Sequence, residues 1–250
     1  MRICISGPGC QGKSTLINDF LENWPSYTTP KKTYRDQLLK ENLKHSKYTT
    51  KETQWAILNN MVDELQKHDT DDKIIYDRGP IDNLVYTLWA YSKDIGDIDD
   101  EYVGKTIEIV KESLKHIDIN FLLPITKFND FDYTTKLSEQ DSILPDKQTS
   151  TDVSYIEETN SIFQAIKTDW ETNPDTKFFD IRDMPPVIEI FGTSQERIKI
   201  IELYLDSNGD LIDDTGVLNE ADLYQQSVLA DQLGIEDSAT QAAKNPKGYQ

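Results

Sequence analysis

The sequence predicts an α/β fold in which a parallel sheet of about five strands carries helices on both faces. Two features of its 250 residues lead to this prediction. Short apolar runs alternate along the chain with longer segments whose apolar residues recur at the helical period. That alternation is typical of parallel sheets, because two parallel strands are joined through a crossover that is usually a helix.

The predicted elements can be placed in chain order. The first strand is the apolar run Arg2–Ser6, and the helix after it begins at Lys13 and ends before Pro25, since proline disfavours helix in the residue that precedes it. The last predicted helix follows Thr193, which has Glu196 at the spacing of a capping box. Between them, further strands are predicted at 26–29, 73–77, 117–123 and 177–181, and further helices at 33–42, 51–67, 81–91, 107–114 and 155–170.

Two segments depart from the alternating pattern. Residues 126–151 are polar and lack periodicity, which in a compact domain is typical of a functional lid. From Asp206 onward, acidic residues outnumber lysines. We therefore expect one α/β domain over residues 1–205, with 126–151 as its lid, and an acidic extension over 206–250 that is partly helical or loosely ordered.

The composition is strongly acidic: 26 lysine and arginine residues against 45 aspartate and glutamate residues give a net charge of −19. Such a chain lacks the basic footprint that binds duplex nucleic acid or anionic lipid, so neither is the expected partner. The opening residues lack the apolar region of a signal peptide, and no stretch of about 18 apolar residues predicts a membrane span. The two cysteines, Cys4 and Cys10, suit a reducing compartment, and we expect a cytoplasmic protein.

The strongest motif lies between the first strand and the first helix. Residues 7–14, GPGCQGKS, match G-x-x-x-x-G-K-[ST] at every position, with a strand before and a helix after, as the motif requires. The motif predicts the P-loop NTPase fold, in which backbone N–H groups and the helix N-terminus surround the phosphates of ATP. Lys13 is predicted to reach the β- and γ-phosphates as a catalytic cation, and the Ser14 hydroxyl to ligate Mg²⁺. The predicted ATP-binding residues are Gly7, Gly9, Cys10, Gln11, Gly12, Lys13, Ser14 and Thr15.

A second motif narrows the class of P-loop protein. The strand at 73–77 ends in Asp77, which Arg78 and Gly79 follow, and we expect these residues at the carboxyl edge of the sheet beside the P-loop. A GTPase would need the motif N-K-x-D, which the sequence does not contain. A motor ATPase would carry paired acids at the strand end, whereas a cation follows Asp77 here.

Together, GPGCQGKST at 7–15 and YDRGPID at 76–82 resemble the P-loop nucleoside and nucleotide kinases. This group includes thymidylate-kinase-like enzymes, deoxynucleoside kinases, nicotinamide-riboside kinases and the deoxynucleotide kinases of bacteriophages. The resemblance covers residues 1–125 and gives nothing from Asp206 onward. It implies that Asp77 acts on the acceptor hydroxyl or on Mg²⁺ through water, and that Arg78 holds the acceptor and the transferred phosphoryl group.

The predicted lid departs from that group, whose members commonly clamp the phosphates of ATP with lid arginines. The only cations in 126–151 are Lys127, Lys136 and Lys147. A lysine replaces the charge of an arginine but not its bidentate fork. Two alternatives therefore stay open: either Lys136 or Lys147 closes over ATP, or this lid binds the acceptor.

Three further residues are candidates for binding the acceptor. Arg35 lies on the helix where kinases of this group bind the acceptor, so it either holds an acceptor phosphate or is an ordinary surface arginine. Gln54 matches a glutamine that reads the base edge in deoxynucleoside kinases, and an amide suits this role because it offers a donor and an acceptor together. Asp82 either contacts the substrate or caps the helix that follows Gly79.

The expected activity is Mg²⁺-dependent transfer of the γ-phosphoryl group of ATP to a small-molecule nucleotide or nucleoside, in the first place a deoxynucleoside monophosphate. One alternative is a kinase that acts on nucleic acid, at a polynucleotide end or at 5-hydroxymethyluracil in phage DNA, although the net charge disfavours it. The other is a non-enzymatic nucleotide-binding switch. The apolar helix 81–91 also makes a homodimer an expectation. If the substrate were nucleic acid, a groove for a single strand of it would be lined by Lys31, Lys32, Arg35 and Lys40.

Overall fold

The computed structural model describes residues 1–41, 43, 48–68, 72–126, 153–172 and 185–212. In these residues four parallel strands form one sheet in the order β2-β1-β3-β4. The strands are β1 (Arg2–Ser6), β2 (Ile74–Asp77), β3 (Ile119–Leu122) and β4 (Val187–Glu189). Non-consecutive strands are neighbours in this order, so the chain crosses over between them through the helices, as the sequence predicts.

Helices flank the sheet and pack in two groups. One group places α4 against α3, α5 and α6, and the other places α1 against α7. The helices are α1 (Lys13–Asn23), α2 (Tyr34–Glu41), α3 (Lys51–Gln66), α4 (Pro80–Ser92), α5 (Asp100–Leu114), α6 (Val153–Thr172) and α7 (Ser194–Ile201).

The core lies between the sheet and the first group of helices. Every residue of β1 is buried, as expected of a central strand covered on both faces. Leu84 and Val85 of α4 pack in one buried cluster with Leu114 of α5 and Phe163 of α6. Burial between helices of a single chain therefore accounts for the apolar faces of α4, and the homodimer stays a prediction.

The predicted fold class is confirmed, and the described residues contribute four strands to the sheet against the predicted five or so. The predicted strand at 26–29 is reduced to one bridge, in which Thr28 pairs with Ile74 in parallel. The predicted strand at 177–181 lies outside the described residues. β4 is a strand that the sequence analysis missed, because it is only three residues long and directly follows a Pro-Pro pair, where the pattern gives little signal.

The predicted helices agree with the structure to within a few residues, except that α5 begins seven positions before 107. Its start is set by Asp99, whose side chain accepts a hydrogen bond from the backbone N–H of Tyr102. Such an N-cap satisfies a donor that the first turn of the helix leaves free. The capping box predicted before α7 is also present, with Thr193 and Glu196 as its two members.

The chain divides into two compact units, Met1–Asp210 and Leu211–Gln250. The first unit includes a turn at Asp206–Asp210, where Trp24 Nε1 donates to the Asp206 carbonyl at 2.8 Å and Tyr27 donates to the Gly209 carbonyl at 2.6 Å. Five residues of the predicted acidic extension thus pack with the α/β domain. Of the second unit only residues 211 and 212 are described, so the extension itself stays a prediction, as does the lid beyond residue 126.

Within the described part of the chain, no helix combines the length and apolar character that a membrane span requires.

Candidate active site

The P-loop joins the carboxyl end of β1 to the N-terminus of α1, and its backbone depends on glycine at two points. Gly7 has φ 136°, and a Cβ there would lie 2.5 Å from the carbonyl oxygen of Leu123. Gly12 has φ 74° and directly precedes the first turn of α1. The left-handed region favours glycine, since it has no Cβ to clash. Cys10 has φ 60°, so the loop also holds one non-glycine residue in this region.

The remaining loop residues frame the start of α1. Gln11 is buried, and its side-chain amide donates to the Gly9 carbonyl at 3.3 Å. Ser14 and Thr15 are exposed at the first turn of the helix. The backbone N–H groups of a helix's first turn have no partners within the helix, so together with the loop they can hold an anion. The eight residues predicted to bind ATP are thus contiguous around one helix N-terminus.

Lys13 points back into the loop. Its side chain is buried, and Nζ donates to the carbonyl oxygens of Gly7 at 2.8 Å and Pro8 at 2.5 Å. Burial, together with the positive charge of Arg78, lowers the pKa of Lys13 to about 7. A bound polyphosphate would oppose this shift, since an anion nearby favours the charged amine. Lys13 is therefore placed to respond strongly to phosphate.

Asp77, at the end of β2, connects the P-loop with α2. Its Oδ2 atom accepts hydrogen bonds from Ser14 Oγ at 3.2 Å and from Arg35 Nη1 at 3.0 Å. Burial raises the pKa of Asp77, but the positive charges of Arg78, Arg35 and Lys13 outweigh burial and hold it below its ordinary value. The carboxylate is therefore ionised at neutral pH.

The pair Ser14 and Asp77 fits a magnesium ion. Asp77 Oδ1 is buried without a hydrogen-bond partner, although Oδ2 has two. The hydroxyl and the carboxylate are hard oxygen donors of the kind that Mg²⁺ prefers. No group of three or more histidine, cysteine, aspartate or glutamate side chains suited to a metal occurs among the described residues. An ion at this pair would thus take its other ligands from water and phosphate, as is usual for Mg²⁺ in nucleotide sites.

Arg78 is held in a demanding conformation beside the loop. Its φ is 79°, a value that is unusual for a residue with a side chain. Its backbone N–H donates to the Ile5 carbonyl at 3.0 Å, and Nη1 donates to the Gly7 carbonyl at 2.9 Å and to Asp82 Oδ1 at 2.7 Å. The guanidinium carbon lies 5.1 Å from the ring centre of Tyr86. Several contacts therefore fix this cation next to the phosphate-binding loop.

Asp82 is fully buried, and its two carboxylate oxygens serve different partners. Oδ1 accepts from Arg78 and from the Gly7 backbone N–H at 3.3 Å, while Oδ2 accepts from the Gly79 N–H at 3.2 Å. The second contact is the helix cap that the sequence analysis considered. The first links the P-loop to Arg78, and contact between Asp82 and a substrate stays a prediction.

Two cavities adjoin this cluster. The larger, about 220 Å³, reaches from Ser14 and Asp77 along α1 and α3. The smaller, about 110 Å³, lies between α3, α4 and α6. Three residues line both cavities: Tyr34, Met61 and Arg78. Of the polar residues that the sequence analysis proposed for the acceptor, Gln54, Arg78 and Asp82 line these cavities and border one continuous region beside the P-loop. Arg35 is not among the lining residues.

Gln54 lines the smaller cavity, but both ends of its amide are already engaged. Its nitrogen donates to Thr49 Oγ1 at 2.8 Å, and its oxygen accepts from Asn83 Nδ2 at 2.8 Å. Asn83 was missed by the sequence analysis. Its Oδ1 atom is buried without a partner in the wall of the same cavity. The available signal was its position one helical turn after Gly79, which places it on the face of α4 that begins at the second motif.

The aromatic lining of the smaller cavity was also missed. Tyr34, Tyr86 and Tyr155 surround it, and Tyr86 stacks on Tyr155 with ring centres 5.9 Å apart. These tyrosines come from α2, α4 and α6, so no local pattern in the sequence connects them. Aromatic rings and amides in one cavity suit a planar, hydrogen-bonding ligand.

Comparison with known proteins places the chain in a family. The model of the AAA domain family matches residues 2–142, which is more than half of the chain and includes both motifs. The chain belongs to the AAA domain family. In this AAA domain protein, the strand that follows the P-loop unit ends in Asp77, and Arg78 comes next, where a motor would be expected to carry a second acid. No curated protein matches the sequence significantly.

Solved structures share the fold of this AAA domain protein. The deoxyadenosine kinase of M. mycoides, in a structure with the products dCMP and dCDP, has a TM-score of 0.52 and 16% identity over 80% of this chain and 96% of that one. A NadR protein in complex with NR has a TM-score of 0.50 and 10% identity over 94% of this chain and 50% of that one. The likeness to the deoxyadenosine kinase confirms the predicted resemblance to P-loop nucleoside and nucleotide kinases at the level of the fold alone.

Proposed function

We propose that this protein is a kinase that transfers the γ-phosphoryl group of ATP to a nucleoside or nucleotide, with a deoxynucleoside monophosphate as its preferred acceptor. One observation carries the proposal. Asp77 contacts Ser14 of the P-loop and Arg35 of α2, so a single carboxylate joins the predicted ATP site to the predicted acceptor site.

The donor side would hold ATP through the P-loop. Backbone N–H groups of the loop and of the first turn of α1 would bind the phosphates, and Lys13 would exchange its carbonyl partners for phosphate oxygens. Ser14 and Asp77 would hold Mg²⁺, which when bound neutralises phosphate charge. Phosphoryl transfer depends mainly on positioning and charge neutralisation, and the loop, Lys13 and Arg78 supply both.

The acceptor side would be formed by the two cavities. We place the base in the smaller cavity, among the tyrosines and the amides of Gln54 and Asn83. The sugar would pass Arg78, which lines both cavities, so that the hydroxyl or phosphate that is phosphorylated reaches Asp77. Asp77 is ionised and would orient an acceptor hydroxyl by accepting its hydrogen bond, whereas an acceptor phosphate, itself an anion, would be held near Asp77 by Arg35 and Arg78.

Two further facts support the proposal without deciding it. The deoxyadenosine kinase that shares this fold was solved with dCMP and dCDP. The two cysteines, Cys4 and Cys10, are not joined in a disulfide, in keeping with the cytoplasm, where nucleotides are available.

The test is an ADP-release assay with ATP and Mg²⁺ against a panel of nucleosides, deoxynucleoside monophosphates and single-stranded oligonucleotides. We expect turnover with a free nucleotide or nucleoside. Lys13→Ala should reduce this turnover to the background of the assay, because the loop then loses its only side-chain cation, whereas Lys105→Ala on the exposed face of α5 should leave it unchanged.

Three outcomes would contradict the proposal in different ways. Nucleotide binding without turnover of any acceptor would favour the non-enzymatic switch. Faster turnover of oligonucleotides than of free nucleotides would favour the nucleic-acid kinase. A Lys13→Ala variant as active as the wild type would show that the P-loop is not catalytic.

A further inference from the structure

Arg197 is a buried arginine that reaches the P-loop from the far end of the described chain. It lies on α7, only 3% of its surface is exposed, and Nη1 donates to the backbone carbonyl of Gln11 at 2.7 Å. Gln11 and Arg197 are 186 positions apart in the sequence. The P-loop motif does not include this arginine, and its local sequence carries no sign of the contact.

The surroundings of Arg197 offer little compensation for its charge. Among the described residues no carboxylate forms an ion pair with it, and its Nε atom is buried without a partner. Burial accordingly lowers the pKa of Arg197 below that of an exposed arginine. Burying an unpaired charge is unfavourable, and packing alone would be better served by an apolar side chain. The charge therefore calls for an explanation other than packing.

Arg197 lies on a helix that is capped at its start and packs against α1. The helix α7 begins at a capping box formed by Thr193 and Glu196, and Ser194 Oγ donates to the Asp19 carboxylate on α1. Since α1 is the helix that the P-loop begins, α7 is fixed directly to the element that carries the loop. The guanidinium is thus held at a defined position behind the loop.

The geometry of the peptide bond gives the contact a consequence. The bond between Gln11 and Gly12 is planar and trans, because the described chain contains no cis peptide. In a trans peptide the C=O and the following N–H point in opposite directions. A hydrogen bond that holds the Gln11 carbonyl towards Arg197 therefore directs the Gly12 N–H away from Arg197.

We propose that Arg197 is a positioning residue that orients the Gln11–Gly12 peptide so that the Gly12 N–H faces a bound phosphate. Its uncompensated positive charge adds to the field that attracts the phosphate through the same peptide. The inference rests on the proposed function only in requiring that the P-loop binds a polyphosphate. It does not depend on the acceptor or on phosphoryl transfer.

The test measures binding of inorganic tripolyphosphate, and separately of ADP, to the full chain by calorimetry. Arg197→Met, which keeps an unbranched apolar side chain and removes the charge and the donor, should weaken both by roughly 10- to 100-fold, as loss of a hydrogen bond from a charged group does. Arg197→Lys, which keeps the charge and one donor, should recover part of the loss. Arg197→Gln, which keeps a donor without the charge, separates orientation from electrostatics.

Two matched controls come from the same helix. Lys199→Met removes an exposed positive charge, and Ile200→Val shortens a buried apolar side chain on the same helix. Both should leave tripolyphosphate affinity within about twofold of the wild type, since neither removes the hydrogen bond from Arg197 to the Gln11 carbonyl. Thermal unfolding without ligand shows which variants are folded.

The outcomes distinguish this inference from the proposed function. A wild-type chain that binds neither probe overturns both. If the wild type binds and folded Arg197→Met binds equally well, only the role of Arg197 is wrong. If Ile200→Val weakens binding as much as Arg197→Met does, the effect comes from packing of α7 and the inference is also wrong. Should Arg197→Met not fold, equal binding by Arg197→Lys, Arg197→Gln and wild type overturns it.

Discussion

The phosphate side and the acceptor side of the candidate site are built differently. The phosphate side is one loop, in which backbone N–H groups are expected to make most of the contacts to phosphate and Lys13 lies at the centre. The acceptor side draws its side chains from α2, α3, α4 and α6, and its amides and tyrosines mostly contact one another. A site formed by backbone groups tolerates few substitutions, but a short sequence motif is enough to specify it. A site formed by side chains from distant segments can bind a different ligand after a single substitution.

The largest expected effect on activity is at Arg78, which belongs to both the phosphate side and the acceptor side. Arg78→Ala should lower the rate of transfer by about 10³- to 10⁵-fold, as loss of an arginine that stabilises the transition state does. Single-turnover rates with saturating ATP measure this.

Arg78 has a positive φ, so the Cβ that arginine and alanine share is strained there, whereas glycine has none. Arg78→Gly removes the guanidinium without that strain and should lose activity to the same extent. If Arg78→Gly keeps the wild-type rate, Arg78 serves only the structure of the loop.

A smaller effect is expected at Arg35. It distinguishes the two interpretations of this residue, as a binder of the acceptor phosphate or as an ordinary surface arginine. Arg35→Ala should lower kcat/KM for monophosphate acceptors roughly 10- to 100-fold and leave nucleosides nearly unaffected, because only the former offer a phosphate to the guanidinium. Lys40→Ala, on the same helix, is the control. Equal kinetics for both classes of acceptor would make Arg35 an ordinary surface arginine.

The acceptor side can be tested further through Gln54 and Asn83. Gln54→Ala should lower the free energy of unfolding by about 1–3 kcal/mol, because Asn83 Nδ2 then keeps only the backbone carbonyl of residue 54 as an acceptor and Thr49 Oγ1 loses its donor. It should preserve the order of preference among the bases. Asn83→Ala should change the ratio of kcat/KM between two bases by about tenfold, since Asn83 lines the smaller cavity and its Oδ1 atom has no hydrogen-bond partner. If Gln54→Ala changes the preference among the bases and Asn83→Ala does not, Gln54 is the residue that reads the base.

A further prediction concerns pH and the phosphate side alone. The pKa of Lys13 is lowered from 10.5 to about 7 in the folded chain, so the unfolded state binds more protons between these values and stability rises with pH across this window. Lys13→Met removes this dependence. Its unfolding free energy relative to the wild type should therefore be higher near pH 6.5 than near pH 9.5, by on the order of 2–3 kcal/mol.

Urea unfolding at the two pH values, without nucleotide, measures the difference. Lys105→Met is the control, since that lysine is exposed on α5. Parallel pH profiles for Lys13→Met and the wild type would show that Lys13 keeps an ordinary pKa in the folded state.

The contrast between the two sides also explains what the sequence could predict. The P-loop and Asp77 are local: glycine spacing and a strand end suffice to place them. The amide of Asn83 and the contact from Arg197 depend on which helices pack together, and the sequence pattern carries no record of that. The strand at 187–189 was missed for a related reason, since three residues beside prolines become a strand only through pairing with β3.

The shared oxygen of Asp77 has a consequence for the order of events at the site. Oδ2 accepts from Ser14 and Arg35 at once, so a ligand that binds Oδ2, in addition to the unpartnered Oδ1, would loosen one of the two bonds. Loosening the bond to Arg35 frees a guanidinium for the other ligand. Donor and acceptor would then bind cooperatively, and thermodynamic reciprocity requires that each strengthen the other by the same factor.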